Sequence, residues 1–124
     1  MINRLFKILI VDDKDAWSNF ARQTLSEAGF SVVVNDAIDN GTRVPLRTYL
    51  DSFDLIILDL IKAKHDSMKF LSTSSESTTP KIAVTSNPTI AVAREAMKNG
   101  ANTISPKPYD ELSLLRMVNE NLRV

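Results

Sequence analysis

Short apolar runs alternate along the chain with longer segments in which apolar side chains recur every three or four residues. The runs are rich in β-branched residues and have the length of buried strands in a parallel sheet. They predict five strands, at residues 8–11, 30–34, 54–58, 81–85 and 103–105. The recurrence at three and four is the period of a helix that buries one face.

The segments between these runs favour five helices. They are expected at about 15–28 with a cap within 13–15, at 45–52, at 67–71, at 88–99, and from Asp110 to about residue 122. Gly29 and Gly100 are typical of positions where helices end. The serine- and threonine-rich segment 72–79 is predicted to be a solvated connection.

Each predicted helix has a set of side chains expected to face inward. These are Trp17, Phe20, Ala21, Thr24, Leu25 and Ala28 in the first helix; Met68, Phe70 and Leu71 in the third; Ile90, Ala93, Ala96 and Met97 in the fourth; and Leu112, Leu115, Val118 and Leu122 in the fifth.

Strands that alternate with helices predict an α/β fold, because helices on both faces of a parallel sheet bury such strands. Right-handed crossovers leave few topologies. We expect a three-layer, doubly wound, five-stranded parallel sheet in the order 2-1-3-4-5. The length of 124 residues suits a single domain that spans residues 1–124.

Composition restricts the classes of function. Fifteen basic residues balance fifteen acidic residues, so no overall field favours nucleic acid or an anionic membrane as a partner. The absence of cysteine excludes disulfides, thiolate metal sites and a cysteine nucleophile. No apolar stretch approaches the roughly 20 residues that span a bilayer, and the first residues do not resemble a signal peptide. We therefore expect a cytoplasmic protein.

Chemically capable residues follow four of the predicted strands. Asp12 and Asp13 follow the first strand, Asp59 follows the third, Thr85 ends the fourth and Lys107 follows the fifth. Ligands bind beyond the carboxyl ends of strands in open α/β sheets. Each residue alone has an ordinary explanation, such as a helix cap, a strand threonine or a solvated lysine. Their common position at one edge of the sheet favours a functional site.

The residue types at this edge favour phosphoryl chemistry with a hard cation. Adjacent carboxylates repel each other, and a divalent cation removes that cost. Mg²⁺ is expected, because it takes few protein ligands and is completed by water and phosphate oxygens. Asp59 is interpreted as a metal ligand or as a nucleophile toward phosphorus. Thr85 and Lys107 are suited to bind phosphoryl oxygens.

In the order of these motifs the chain resembles the receiver domains of bacterial two-component response regulators, including the chemotaxis regulators. The matching segments are 8–13, 54–59, 84–86, 100–101 and 107–109. The resemblance implies a flavodoxin-like receiver fold in which Asp59 is the phosphoacceptor and Thr85 and Lys107 bind the phosphoryl group. The Mg²⁺ ligands that it implies are Asp12, Asp13, Asp59 and the backbone carbonyl of Ile61.

The resemblance also implies partners. A sensor histidine kinase or a phosphotransfer protein would supply the phosphoryl group. An output partner would bind the face formed by the fourth helix, the fifth strand and the fifth helix, and phosphorylation could produce a homodimer. Direct contact with nucleic acid is not expected. Such a domain assists its own phosphorylation and dephosphorylation, but it is a signalling switch and not an enzyme that turns over a metabolite.

Three positions depart from the family's usual pattern. Ala63 and Ser67 stand where a proline and a glycine are usual after the acceptor, which predicts a less rigid loop. Ile104 stands where an aromatic switch residue is common. These departures leave open a second hypothesis, a receiver-fold interaction module that acts without phosphorylation.

Two further residues near the acidic edge, one titratable and one aromatic, have structural interpretations. His65 is interpreted as a loop residue and Trp17 as part of the core below the acidic edge.

A third hypothesis is a small Mg²⁺-dependent phosphatase. Such an enzyme would need a general acid or base beside the acidic edge, and the sequence offers no convincing one.

Overall fold

Five strands and five helices alternate within residues 5–12, 15–35, 46–60 and 67–122, the part of the chain that the computed structural model describes. The strands are β1 (Lys7–Val11), β2 (Ser31–Asn35), β3 (Leu55–Asp59), β4 (Lys81–Thr85) and β5 (Thr103–Pro106). The helices are α1 (Ala16–Glu27), α2 (Leu46–Asp51), α3 (Ser67–Thr73), α4 (Ile90–Asn99) and α5 (Glu111–Asn121).

All neighbouring strands pair in parallel, in the order β2-β1-β3-β4-β5, which confirms the predicted topology. Every residue of β3 and β4 is buried, because each of these strands has a neighbour on both sides and helices over both faces. The strand and helix bounds differ from the predicted ones by one or two residues. As a result Asp59 belongs to β3 and Pro106 to β5.

Two apolar clusters cover the two faces of the sheet. Successive strand residues alternate between the clusters, so that Ile8 and Ile10 belong to one and Leu9 and Val11 to the other. The first cluster includes buried side chains of α1 and α5. The second includes those of α2, α3 and α4. These are the three layers predicted from the alternation of elements.

The predicted inner faces of α4 and α5 are partly wrong. Ile90 is 77% exposed and Leu112 is 67% exposed, and Met97 is also exposed. In α4 the buried position is Ala96, and in α5 the buried side chains are Leu114, Met117 and Val118. An apolar stripe along a helix is compatible with two neighbouring rotations of that helix. The packing against the sheet selects one rotation, and here it leaves several large apolar side chains outside. Ala28 is also exposed, because α1 ends at Glu27.

The prediction that residues 72–79 form a solvated connection is also only partly correct, because residues 72, 73, 75, 76 and 78 are exposed and the other three are not. Ser74, Ser77 and Thr79 are buried. Thr79 Oγ1 lies 3.0 Å from the carbonyl oxygen of Leu50 and 3.1 Å from that of Phe53. Short hydroxyl side chains can be buried at little cost when they donate to backbone carbonyls. The composition indicated polarity, and the tertiary structure supplied the acceptors.

Lys81 is buried at the start of β4, beside this connection. Its Nζ donates to the carbonyl oxygens of Ser77 at 3.0 Å and Thr79 at 3.1 Å. Burial lowers the pKa of Lys81 below 10.5, and the charge of Asp51 opposes that shift. The two hydrogen bonds and the nearby carboxylate therefore offset part, but not all, of the cost of burying the ammonium.

Within the described ranges, no helix combines the length and apolar character that crossing a bilayer requires.

Replacing Thr79 with valine keeps the shape of the side chain and removes its hydroxyl. We expect Thr79→Val to lower the free energy of unfolding by about 1–2 kcal/mol, because two buried carbonyls then lose a donor. Thr78 is exposed in the same connection, so Thr78→Val should change the stability by less than about 0.5 kcal/mol. Urea unfolding followed by circular dichroism measures both. Equal stabilities of the two variants would contradict this account of the connection.

Candidate functional site at the carboxyl edge of the sheet

Asp12 and Asp59 lie side by side at the carboxyl edge of the sheet. Asp12 directly follows β1 and Asp59 ends β3, and the strands pair Val11 with Leu58. The next residue in each strand is therefore an aspartate. Strand alternation directs both side chains to the face covered by α1 and α5. Asp12 is 0% exposed and Asp59 is 1% exposed. Burying ionised carboxylates is costly unless cations or hydrogen-bond donors surround them.

Lys107 supplies a positive charge to this edge from a more distant strand. Its backbone N–H donates to the Thr85 carbonyl at 2.9 Å, which continues the β4–β5 ladder past β5. Its side chain, only 8% exposed, reaches across the end of β4, and Nζ forms a short ion pair with Oδ2 of Asp59. The structure thus brings together two residues that are 48 positions apart.

Thr85 ends β4 between the strands that carry Asp59 and Lys107, and it is almost fully buried. Its Oγ1 accepts the backbone N–H of Asn87 at 3.2 Å. A hydroxyl that accepts one hydrogen bond can still donate its own hydrogen. Thr85 is therefore held at the edge with a donor suited to an anionic oxygen.

Trp17, in the first turn of α1, belongs to the core as expected and also contacts two residues at this edge. A capping box fixes the start of the helix, with Asp15 Oδ1 accepting the Ser18 N–H and Ser18 Oγ accepting the Asp15 N–H. The Trp17 indole N–H donates to the Pro108 carbonyl at 2.8 Å. Nζ of Lys107 lies 4.9 Å from the centre of the indole ring. Trp17 closely follows Asp12 in the sequence, which indicates that it lies near this edge. Its partners Lys107 and Pro108 lie about ninety residues later, so no local pattern predicts these contacts.

Ser67 contacts the end of β3 directly. The side chain is buried in the first turn of α3, and its Oγ donates to the backbone carbonyl of Asp59 at 2.9 Å. A glycine at this position would lack that bond. In the sequence, Ser67 stands where a glycine is usual, a departure that predicts a less rigid loop. Residues 62–66 of the predicted loop lie outside the described residues, so its predicted lower rigidity stays a prediction.

Two predicted metal ligands, Asp13 and Ile61, fall outside the described ranges. Ala63 and His65, which were assigned no site role, fall outside them as well. Within the described ranges, no three His, Cys, Asp or Glu side chains are grouped closely enough to hold a metal ion.

The donor chemistry at the edge nevertheless fits Mg²⁺. Asp12 and Asp59 present hard carboxylate oxygens on adjacent strands, the ligand type that Mg²⁺ prefers. Lys107 pairs with the second of these carboxylates. Mg²⁺ is usually held by only one or two carboxylates together with water and phosphate oxygens, so these two residues are a sufficient protein contribution.

Removing the Ser67 hydroxyl tests its hydrogen bond to the Asp59 carbonyl at the end of β3. We expect Ser67→Ala to lower the free energy of unfolding by about 1 kcal/mol, because the buried Asp59 carbonyl loses its donor. Ser72 is an exposed residue of the same helix, and its hydroxyl bonds to the Lys69 carbonyl at 3.1 Å. Ser72→Ala is the matched control and should be nearly neutral. Chemical denaturation distinguishes the two, and a neutral Ser67→Ala would show that the bond contributes nothing.

Comparison with known families and proteins identifies relatives of the chain. A family model for the response regulator receiver domain matches residues 8–119. The transcriptional regulatory protein HprR of Escherichia coli K12 is 30% identical over 118 residues, covering 94% of this chain and 52% of HprR. The transcriptional activator protein IrlR of Burkholderia pseudomallei is 29% identical over 118 residues, covering 94% of this chain and 50% of IrlR. The chain spans about half the length of these curated relatives.

Solved structures with the same fold include the chemotaxis protein CheY4 of Vibrio cholerae. It aligns with a TM-score of 0.82 at 22% identity, covering 96% of this chain and all of CheY4. The beryllofluoride-activated NtrC4 receiver domain dimer aligns with a TM-score of 0.76 at 20% identity, covering 94% of this chain and 95% of that one. These similarities establish the three-layer fold with its order 2-1-3-4-5.

Proposed function

This chain belongs to the response regulator receiver domain family, and from that premise we propose that it is a phosphoacceptor switch modified on Asp59. The family consists of signalling domains of two-component systems and not of catalysts that turn over an external substrate. The observation that carries the proposal is the buried ion pair between Asp59 and Lys107, directly beside Asp12. We further propose that residues 1–124 form one such domain.

Asp59 is the proposed nucleophile. One of its carboxylate oxygens attacks the phosphorus of the donor, and an O–P bond forms as the bond from phosphorus to the donor's leaving atom breaks. The leaving atom is nitrogen for a phosphohistidine and oxygen for an acyl phosphate. The leaving group departs with the electron pair of the broken bond. The product is an aspartyl phosphate with more negative charge at the edge than the carboxylate had.

Lys107 and Thr85 are proposed to stabilise that charge. The ammonium of Lys107 already contacts Asp59 and is screened from solvent, so its attraction to phosphoryl oxygens is weakened little by water. An ammonium has three donors, so it can contact a phosphoryl oxygen after leaving the carboxylate. The Thr85 hydroxyl can donate to a second phosphoryl oxygen after a small movement of the end of β4.

Asp12 and Asp59 are proposed to hold Mg²⁺, together with Asp13 and the backbone carbonyl of Ile61. When bound, the ion neutralises charge on the phosphoryl oxygens and orients them for in-line transfer. The support for this assignment is the pair of buried carboxylates on adjacent strands, whose mutual repulsion a dication relieves. Asp12 has no part in the covalent step in this proposal and serves only the metal.

The proposed phosphodonor is a sensor histidine kinase or a phosphotransfer protein, and the proposed output surface is the α4-β5-α5 face. Ile90 on α4, Tyr109 and Leu112 are large apolar side chains that are exposed there. Ile104 on β5 is half-buried against the second apolar cluster, so it occupies the family's aromatic position as a packing residue. A phosphorylation-dependent homodimer through this face is the corresponding assembly.

Phosphorylation is tested with acetyl phosphate and Mg²⁺. We expect the intact protein to gain the mass of one phosphoryl group, and Asp59→Asn to gain none, because the amide is not a nucleophile toward phosphorus. Removing Mg²⁺ with a chelator should abolish the adduct. Lys107→Ala should slow its formation on the order of a hundredfold, the usual effect of losing one charge-stabilising group. Time-resolved intact-mass spectrometry gives all four results.

Asp110→Asn is the matched control, because asparagine keeps the helix cap of α5 and Asp110 lies on the exposed surface. It should be phosphorylated like the wild type. An adduct of equal amount on Asp59→Asn would overturn the assignment of Asp59. A wild-type protein that takes no phosphoryl group from any donor, yet binds a partner, would favour the interaction module that acts without phosphorylation.

A further inference from the structure

We propose that Trp17 is a positioning residue for Lys107, which it holds at Asp59 through a cation–π contact and through a hydrogen bond to Pro108. This inference rests on the proposed function of Asp59, because it assigns Trp17 a part in phosphoryl transfer. It goes beyond the role of a core side chain, which any apolar residue of similar size could fill.

The backbone around Lys107 is anchored on both sides. Pro106 and Pro108 have no N–H, so the connection between β5 and α5 offers few donors of its own. The Lys107 N–H donates to the Thr85 carbonyl at 2.9 Å. On the other side, the Pro108 carbonyl accepts the Trp17 indole N–H at 2.8 Å in a buried hydrogen bond. Trp17 therefore ties this connection to the first turn of α1.

The side chain of Lys107 is held as well. A lysine carries its charge on a flexible four-carbon stem. Nζ lies 4.9 Å from the centre of the indole ring, inside the range of about 6 Å in which a cation is attracted to a π-face. The carboxylate of Asp59 attracts the same ammonium through the ion pair. The ammonium thus lies where the indole and the carboxylate both favour it, and positions in solvent are disfavoured.

Trp17 is rigid enough to do this. It belongs to the first apolar cluster and is mostly buried. The capping box of Asp15 and Ser18 fixes the turn from which it projects. The ring also lines an open cleft of about 470 Å³ together with Lys107. Because the cluster and the cap hold it in place, the indole can act on the ammonium from a fixed position.

Two substitutions separate positioning from packing. Trp17→Leu keeps an apolar side chain and removes both the π-face and the indole N–H. Trp17→Phe keeps a π-face and removes only the N–H. Phe20→Leu is the matched control, because Phe20 packs against the same cluster from the same helix. This substitution also removes an aromatic ring and leaves an apolar side chain. Urea unfolding of each variant establishes the conditions in which all are folded.

The first measurement uses the unphosphorylated protein. The ε-methylene protons of Lys107 lie near the indole face, so ring currents should shift their NMR signals upfield in the wild type. We expect that shift to persist in reduced form in Trp17→Phe, to be lost in Trp17→Leu and to remain in Phe20→Leu. A shift that is absent from the wild type, or retained in Trp17→Leu, would overturn the proposed contact.

The second measurement is the rate of phosphorylation by saturating acetyl phosphate with Mg²⁺. We expect Trp17→Leu to be slower than the wild type by about tenfold, the effect of losing one desolvated cation–π contact. Trp17→Phe should regain much of that rate, and Phe20→Leu should match the wild type. Equal rates for Trp17→Leu and the wild type, or an equal loss in Phe20→Leu, would overturn the positioning role.

The two measurements separate this inference from the proposed function. If the wild type takes no phosphoryl group while the NMR pattern holds, the proposed function fails and the role of Trp17 in phosphoryl transfer is overturned with it, although its contact with Lys107 stands. If the wild type is phosphorylated on Asp59 and Trp17→Leu is unaffected, only the positioning role fails.

Discussion

The arrangement at the carboxyl edge depends on balancing buried charge. Asp12 and Asp59 are almost inaccessible to solvent on adjacent strands, and two ionised carboxylates in such a place repel each other and lose hydration. Lys107 compensates part of that charge from two strands away. Because these charges are buried together, a cation or a phosphoryl group bound at this edge would change the energy of the whole cluster. The rest of the fold serves to keep these groups in register.

The two edges of the sheet use polar groups for different purposes. At the carboxyl edge, ionised side chains face one another and remain reactive. At the amino edge of β4, Thr79 and Lys81 donate to backbone carbonyls. Those bonds satisfy the buried groups and tie the connection before β4 to the end of α2. Buried polar groups with complete hydrogen bonding stabilise a single structure.

The contacts that organise the site are long-range. Asp59 and Lys107 are 48 positions apart, and Trp17 and Pro108 are 91 apart. The parallel topology makes such contacts possible, because it gathers the ends of all strands at one edge irrespective of their separation along the chain. Ser67 adds a shorter link, from the first turn of α3 back to the Asp59 carbonyl. The bonds of Lys107 and Ser67 reach β3 directly, and the Trp17 bond holds the connection that carries Lys107.

Local patterns were enough to predict the strands, because run length, β-branching and the helical period do not depend on distant partners. The strand order followed from the alternation of strands with helices and from the rule that crossovers are right-handed. Together they placed Asp12, Asp59, Thr85 and Lys107 at one edge of the sheet. The sequence also placed the first helix cap within residues 13–15, where the structure has Asp15, and the last cap at Asp110. Only the tertiary structure decided which faces of α4 and α5 are buried, since a helix can rotate by one position at little local cost. It alone gave the hydroxyls of residues 72–79 their acceptors and Trp17 its contact with Lys107. Those outcomes depend on partners that are distant in sequence, and no local pattern encodes a distant partner.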